Sequence, residues 1–540
     1  MRPMADQDYI VIGAGSSGCV VANRLSGADG GTVLLLEAGG ASRGILYRMP
    51  LAATKLWFNP KSSWSLWSEP EPGLDGRRIP VPRGRGIGGS SAINGTVYNR
   101  GNPGDYDRWR EMGLEGWDYA SLLPYFRRIE NHWRGSDKYH GGGGEVAVTA
   151  LRHRSKLTPY MLAAASQMGF PLSDDFMGEE PAGFGLSDLN VDRYGRRVSA
   201  ADAFLSPIRS RKSLTIESGA RVLRLILENS RAVGVEYLRN GEKHVVRARR
   251  EVILSGGAIA SPQLLLLSGI GPADELITLG IAPLHDLAGV GRNLNDQPGA
   301  SFEFLSKLAL TSTRDLRADR FVFGLIQWAL GFGGVAAGPP MIAMGALRTS
   351  QELRHPDLRV NITGATMMSK VWYPGISQHQ EHKLLVGFAV AHPESRGSIT
   401  LGSADPLAAP RILYNLLTVE KDRNLLRSHY RLLREFIRQP ALADVVGDFV
   451  RPVVEPDNDR DLDAYLRSVA TTTSHPMGSC RMGIDNDAVV DGQCRVRGID
   501  GLRVIDASVF PTQISGNPHS TAMMLGDRVS DMILGRAALQ

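Results

Sequence analysis

The chain is poor in cysteine, has no long uninterrupted apolar run and carries no large surplus of either charge sign. Each scarcity removes a class of protein. Cys19, Cys480 and Cys494 are the only three cysteines in 540 residues. They are too few for a disulfide framework and lack the CxxC spacing of a metal site, so a reducing compartment and no metal are expected. The net charge of +5 comes from 61 basic and 56 acidic residues and is spread thinly, with no Lys/Arg run dense enough for a nucleic-acid face. "MRPMADQDYIVIGAG" passes almost directly into a strand, with no apolar leader and cleavage site, which argues against secretion and for a cytoplasmic protein. The most apolar stretch, 321–337, "FVFGLIQWALGFGGVAA", is short for a span and broken by Gln327 and four glycines. It reads as a buried helix or pocket wall, so no transmembrane segment is expected.

Hydrophobic residues at 43% and charged residues at 22% are ordinary for a globular enzyme, and 540 residues exceed one ordinary core. The order of patterns is α/β. "DYIVIGAG" is a buried strand, "SSGCVVANRLS" has helical spacing, and "GTVLLLEAGG" is a second buried strand, together a βαβ unit that opens a parallel sheet. "SLTIESGARVLRLILE", "AVGVEYLR" and "REVILSGG" predict further strands, the middle pair as a hairpin of a small antiparallel sheet. Beyond about 300, "DLRVNITGATMM" and "HKLLVGFAVAH" predict strands of a second sheet, and "VEKDRNLLRSHYRLLREFIRQPAL" a long amphipathic helix. The chain then returns to a strand, "LRVIDASVF", and to a helix in "TAMMLGDRVSDMIL" with Ala522, Leu525, Val529 and Met532 on one face.

Three stretches carry chemistry. Gly13, Gly15 and Gly18 lie between strand and helix, and Glu37 ends the second strand nineteen residues after Gly18. Glycines there permit the tight turn, close approach to a pyrophosphate and close helix packing, and the acid holds ribose hydroxyls, which disfavours a 2′-phosphate. "GRGIGGSSAINGTVYNRGNPGDYD", 84–107, mixes glycines and paired serines with Ile87, Ile93, Val97 and Tyr98, a mixture suited to backbone wrapped around a large flat ligand. "GAIASPQLLLLSGIG", 257–271, is a helix that follows the strand "EVIL".

These blocks, with "SHPMGSCRMG" at 474–483 and "NPHSTAMMLGDR" near the C-terminus, resemble the glucose-methanol-choline oxidoreductase family in order and across essentially the whole chain. Similarity is greatest to the choline-dehydrogenase-like and aryl-alcohol or hydroxymethyl-aromatic oxidase branch. The resemblance implies a Rossmann-type FAD-binding domain with a parallel sheet, in segments 1–155, 201–300 and 471–540. It also implies an α+β substrate domain with an antiparallel sheet, in segments 156–200 and 301–470. By the same resemblance Gly13, Gly15, Ser16, Ser17, Gly18, Glu37 and Ala38 hold the ADP part of FAD. Arg85, Gly88, Gly89, Ser90, Ser91, Asn94, Gly95 and Val97 line the flavin side. Val222 presents a backbone group to the adenine, Asp506 and Ala507 meet the pyrophosphate and ribityl chain, and Asn517 and Pro518 complete the approach to the ring. Some members tether FAD through a histidine in the second stretch; Ile93 or Ala92 stands there in this chain, so non-covalent FAD is expected.

His475 matches the family's base and His519 its partner. Hydride leaves an alcohol carbon readily when the hydroxyl gives up its proton, and a neutral imidazole can take that proton. His475 is expected to be the base and His519 an orienting donor, with the division of roles open. Pro476 and Gly478 stiffen the loop. A helix beginning near Thr521 is expected to aim its positive end at the flavin. Cys480 reads as a packed residue. The implied reaction is oxidation of a small aromatic, heteroaromatic or aliphatic primary alcohol, with oxygen or another carrier as electron acceptor. Alternatives are a choline-type dehydrogenase and a non-redox lyase resembling the hydroxynitrile lyases. A choline pocket needs a carboxylate and an aromatic cage, for which Trp328, Trp372 and Tyr373 are the candidates. Monomer and homodimer both remain open.

Overall fold

The computed structural model describes residues 6–365, 369–377 and 380–540. Two sheets organise them. In the first, Gln7–Ile12 pairs in parallel with Val33–Glu37 on one side and with the end of Glu242–Leu254 on the other. Leu214–Ser218 adds in parallel beyond Val33–Glu37, and Leu502–Val504 docks on Glu242–Leu254. Strands buried on both faces explain the unbroken apolar runs "IVI" and "VLLL". The first half of Glu242–Leu254 leaves this layer to pair antiparallel with Arg231–Arg239, which pairs antiparallel with Ala220–Glu228. Both hairpins turn on residues that tolerate left-handed backbone, Asn229 (φ 48°) with Ser230 (φ 58°) and Asn240 (φ 51°) with Gly241 (φ 81°). "SLTIESGARVLRLILE" is therefore two strands, divided at Gly219 (φ 70°), one in the parallel layer and one in the meander.

The second sheet runs Val446–Arg451, Pro298–Ser306, Lys383–Val390, Leu358–Thr363, Met341–Leu347, Gly183–Gly185, Leu172–Ser173, antiparallel except for its last pair. The helix Glu420–Phe436 packs Leu426, Tyr430 and Leu433 on it, with the Tyr430 ring 5.7 Å from Phe302. The end of the strand expected in "DLRVNITGATMM", residues 366–368, lies outside the described residues.

Two expectations are corrected. The C-terminal helix is Pro518–Ile533, begins three residues before Thr521, and is buried on every side through Asp531 instead of along one stripe. It packs between the helices Ser16–Leu25 and Tyr119–Ile129, so even Asp527, which binds Arg24 on the first and Arg128 on the second, is buried. The apolar stretch 321–337 is buried only in part, at Gly324, Trp328, Gly333 and Val335 to Ala337, and it walls a second cavity through Trp328 and Ala329, not the one between the sheets. Its helix, Ala318–Ala329, covers Trp328 against Met49 and Ala52 but leaves Phe323 61% and Ile326 51% exposed, and Phe332 beyond it 78% exposed. Among the described residues no helix is long and apolar enough to cross a membrane.

Gly18 shows how tightly the opening unit is packed. A Cβ built there lies 1.9 Å from the Gly13 carbonyl oxygen. Gly18→Ala is expected to destabilise the protein by more than the ~1–3 kcal/mol usual for overpacking, because backbone must move. A calorimetric midpoint equal to wild type contradicts this.

Candidate active site

A cavity of about 850 Å³ opens between the two sheets. Ser16, Glu37 and Val222 come to it from the first layer, and Ala300, Met344, Arg359 and Phe388 from the second. Of the residues expected at the cofactor, Gly13, Gly15, Ser16, Ser17, Glu37, Ala38, Gly89, Ser90, Ser91, Asn94, Gly95, Val97, Val222, Asp506, Ala507, Asn517 and Pro518 all line it. Gly18, Arg85 and Gly88 do not. Gly18 serves helix packing, Gly88 (φ 99°) donates its N–H to the Ala14 carbonyl at 2.7 Å, and the Arg85 guanidinium stacks 5.0 Å from the Trp64 ring.

The dinucleotide end is built around Glu37. Its Oε2 accepts the Ala14 N–H (3.0 Å), and Oε1 accepts the Gly39 (2.8 Å) and Gly86 (3.0 Å) N–H groups. One carboxylate thus fixes the glycine turn, the loop after the second strand and the start of the 84–107 stretch. Burial pushes its pKa up, and the three N–H groups pull it back. A carboxylate has about four acceptor sites, so about one remains for a ribose hydroxyl. Asp506 plays a similar part, accepting from Gly257 N–H (2.9 Å), Ser261 Oγ (2.6 Å) and Ser508 N–H (2.8 Å). A Cβ at Gly95 or Gly257 meets nothing within 4 Å, so both backbones face open space wide enough for a flat ligand. These observations fit FAD. Ile93 lines the same cavity with an alkyl side chain that offers no nucleophile for a tether.

His475 projects from a braced loop. Its N–H donates to Asp296 Oδ2 at 2.9 Å, and Arg83 Nη2 donates to the Ser474 carbonyl at 2.8 Å, holding Ser474 at φ 65°. Nδ1 of His475 lies 3.0 Å from Thr473 Oγ1, 3.1 Å from Gln297 Oε1 and 3.2 Å from Arg359 Nη1. Gln297 Oε1 also accepts Arg359 Nη1 at 2.6 Å. An amide oxygen only accepts, so Nδ1–H donated to Gln297 or to Thr473 leaves the Nε2 lone pair facing the cavity, the tautomer a base requires; in that tautomer Arg359 Nη1, which only donates, spends its hydrogen bond on Gln297 and is a neighbour of Nδ1, not its partner. Burial, and after it the charges of Arg359 and Arg83, hold the His475 pKa well below 6.5. Burial pushes Asp296 up to about 6, with Arg83 opposing.

His519 lines the same cavity as His475 but hydrogen-bonds outside the His475 network. Its Nδ1 is 2.8 Å from Ser16 Oγ, on the dinucleotide loop, and its Nε2 is buried without a partner. Burial, aided by Arg197, pulls its pKa down to about 4. Asn517 joins the His475 network instead, accepting Arg359 Nη2 on Oδ1 at 2.5 Å and donating Nδ2 to the Val97 carbonyl at 3.2 Å. The helix starts at Pro518, with Asn517 its extended N-cap residue; both 517 and 519 line the cavity, but their side chains take different partners, Arg359 and Ser16. Arg359, Gln297, Asp296 and Thr473 were not anticipated from the sequence. The one trace of Arg359 was a cation among the apolar residues of "DLRVNIT".

The aromatics that line the cavity are Trp57, Trp64 and Phe388, not the three candidates for a cage. None of Trp328, Trp372 and Tyr373 lines the cavity: the Trp328 indole donates to the Gly195 carbonyl, that of Trp372 to Thr313, and Tyr373 is 52% exposed. Cys480 is packed as expected, its thiol pushed well up by burial.

Comparison with known proteins agrees with this architecture. Residues 7–299 and 393–526 match the two family models described as GMC oxidoreductase. The chain is 40% identical over 539 residues to an oxygen-dependent choline dehydrogenase of Photobacterium profundum, covering 98% of this chain and 94% of the relative. A pyridoxine 4-oxidase from Mesorbium loti superposes with a TM-score of 0.88 at 29% identity, covering 98% and 99% of the two chains. A variant of Aspergillus oryzae formate oxidase superposes with a TM-score of 0.90 at 26% identity, covering 99% of each.

Proposed function

The chain belongs to the GMC oxidoreductase family of FAD-dependent enzymes, and on that premise we propose that it oxidises a primary alcohol to an aldehyde with His475 as the base. FAD, when bound, supplies the hydride acceptor. The residues that line the cavity from Gly13 to Ala38 and from Gly89 to Val97 would hold it, without a covalent bond. The observation that carries the reading is the one-sided wiring of His475, whose Nδ1–H has Thr473 Oγ1 and Gln297 Oε1 as acceptors while Nε2 is left to the cavity. The substrate hydroxyl gives its proton to Nε2. The nearby Arg359 charge favours the alkoxide that develops, and Asn517 fixes the guanidinium in place. His519 steadies the dinucleotide loop through Ser16. The electrons then pass to oxygen or another carrier.

A pH profile tests the base. A histidine whose pKa is lowered stays neutral as pH falls through 6.5, so kcat/KM is expected to hold through that value and to fall only well below it. Asp296 titrates at about 6, so a limb at that pH belongs to Asp296 and disappears in Asp296→Asn. A limb at the ordinary histidine value that survives Asp296→Asn rules out the buried base described here.

A further inference from the structure

This inference rests on the alcohol-oxidising reading of the cavity and names the substrate class it takes. We propose that Arg359 is a carboxylate-binding residue, so that the enzyme selects alcohols bearing a carboxylate and rejects quaternary-ammonium alcohols.

Arg359 lies on the strand Leu358–Thr363 and lines the cavity beside His475. Its hydrogen bonds go to neutral acceptors, Gln297 Oε1 from Nη1 and Asn517 Oδ1 from Nη2, and the neutral His475 lies beside Nη1. Among the described residues it makes no ion pair, whereas Arg100 is paired with Glu130 at 2.8 Å and Arg503 with Glu251 at 2.7 Å. Arg83 also lacks a carboxylate but is satisfied by the Pro82 and Ser474 carbonyls. Asp296, a nearby acid, has its oxygens occupied by His475 N–H, Gln297 N–H and Thr473 Oγ1. A cation taken out of water is costly unless an anion joins it.

The guanidinium also has a free edge. Nη1 and Nη2 donate to Gln297 and Asn517, while Nε donates to nothing among the described residues and is not among the sealed, unpartnered atoms, so it opens to the cavity. Nε–H and the adjoining Nη2–H form the side-on fork that takes a carboxylate through two parallel hydrogen bonds. For a trimethylammonium group the same wall is repulsive. The two carboxylates that line the cavity, Glu37 and Asp506, are held by backbone N–H groups at the dinucleotide end, and among the aromatics that line it the Trp64 ring is already covered by the Arg85 and Arg221 guanidinium groups. The chain therefore departs in substrate from the choline dehydrogenases it is similar to.

The test uses the holoenzyme without oxygen, with 4-(hydroxymethyl)benzoate, benzyl alcohol and choline as reductants of the flavin and benzoate as a dead-end ligand. Charge-assisted hydrogen bonds of ~1.5–3 kcal/mol translate into roughly ten- to hundred-fold preference for the carboxylate alcohol over benzyl alcohol, with choline last. Benzoate is expected to perturb the flavin spectrum. In Arg359→Gln with full flavin content the preference is expected to collapse at least tenfold, chiefly through KM, and the benzoate signal to vanish, while Arg359→Lys restores part of both. Choline reacting as well as the carboxylate alcohol overturns the proposal. So does an Arg359→Gln variant slowed equally on charged and neutral alcohols, since the guanidinium then serves only the reacting oxygen. A flavin that no alcohol reduces, with benzoate binding still dependent on Arg359, sinks the oxidation reading and leaves the carboxylate site standing.

Discussion

His475→Asn is expected to slow anaerobic flavin reduction by about 10²–10⁴-fold while leaving FAD bound. The size follows from losing the group that takes the hydroxyl proton as hydride departs. Retention of FAD follows from the architecture. The loop is held by the 475 N–H on Asp296 and by Arg83 on the Ser474 carbonyl, neither of which needs an imidazole. The residues that fix Glu37 lie on other segments. His519→Asn separates the two histidines: its side chain meets Ser16, not the His475 network, so it is expected to weaken FAD retention more than it slows reduction. Equal loss of reduction rate in the two variants, each saturated with FAD, contradicts this division.

Glu37→Leu is expected to yield protein without flavin. The substitution strands the N–H groups of Ala14, Gly39 and Gly86, each of which costs ~1–3 kcal/mol when buried and unpaired. The sum, about 3–9 kcal/mol, is comparable with the whole stability of many domains and falls on the three loops that shape the dinucleotide end. Glu37→Gln is milder. Its amide oxygen can still serve Gly39 and Gly86, while the amide nitrogen faces the Ala14 N–H, so FAD binding is expected to weaken without vanishing. Flavin content per chain and a thermal scan measure both. A Glu37→Leu protein that purifies yellow, with one FAD per chain, shows that the carboxylate is not the clamp described.

The dinucleotide end was legible in the sequence because its geometry demands particular residues. A turn with Gly13 at φ 99° and a helix that approaches as closely as Gly18 does admit little else, and Glu37 follows at a fixed distance along a short βαβ unit. The substrate end was not legible, for three physical reasons. Arg359 reaches His475 across 116 positions and Gln297 across 178, so only the pairing of the second sheet brings them together. Asn517 and His519 stand two residues apart in one motif yet take different partners, Arg359 and Ser16, which their spacing does not tell. The stretch 321–337 is legible only in part because hydrophobicity alone does not say which face is covered; Trp328 packs on Met49 and Ala52 while Phe323 and Ile326 stay exposed. The hairpin expected around "AVGVEYLR" is present, its strand Arg231–Arg239 following a turn at Asn229 and Ser230.

The most direct measurement of the central claim is anaerobic mixing of the purified holoenzyme with single primary alcohols, charged and neutral, while the visible flavin absorbance is followed. The account predicts that at least one of them bleaches the flavin at a rate set by its concentration, that His475→Asn slows the bleaching by orders of magnitude, and that colour returns with an acceptor. A flavin that a chemical reductant bleaches but that none of the alcohols touches contradicts it.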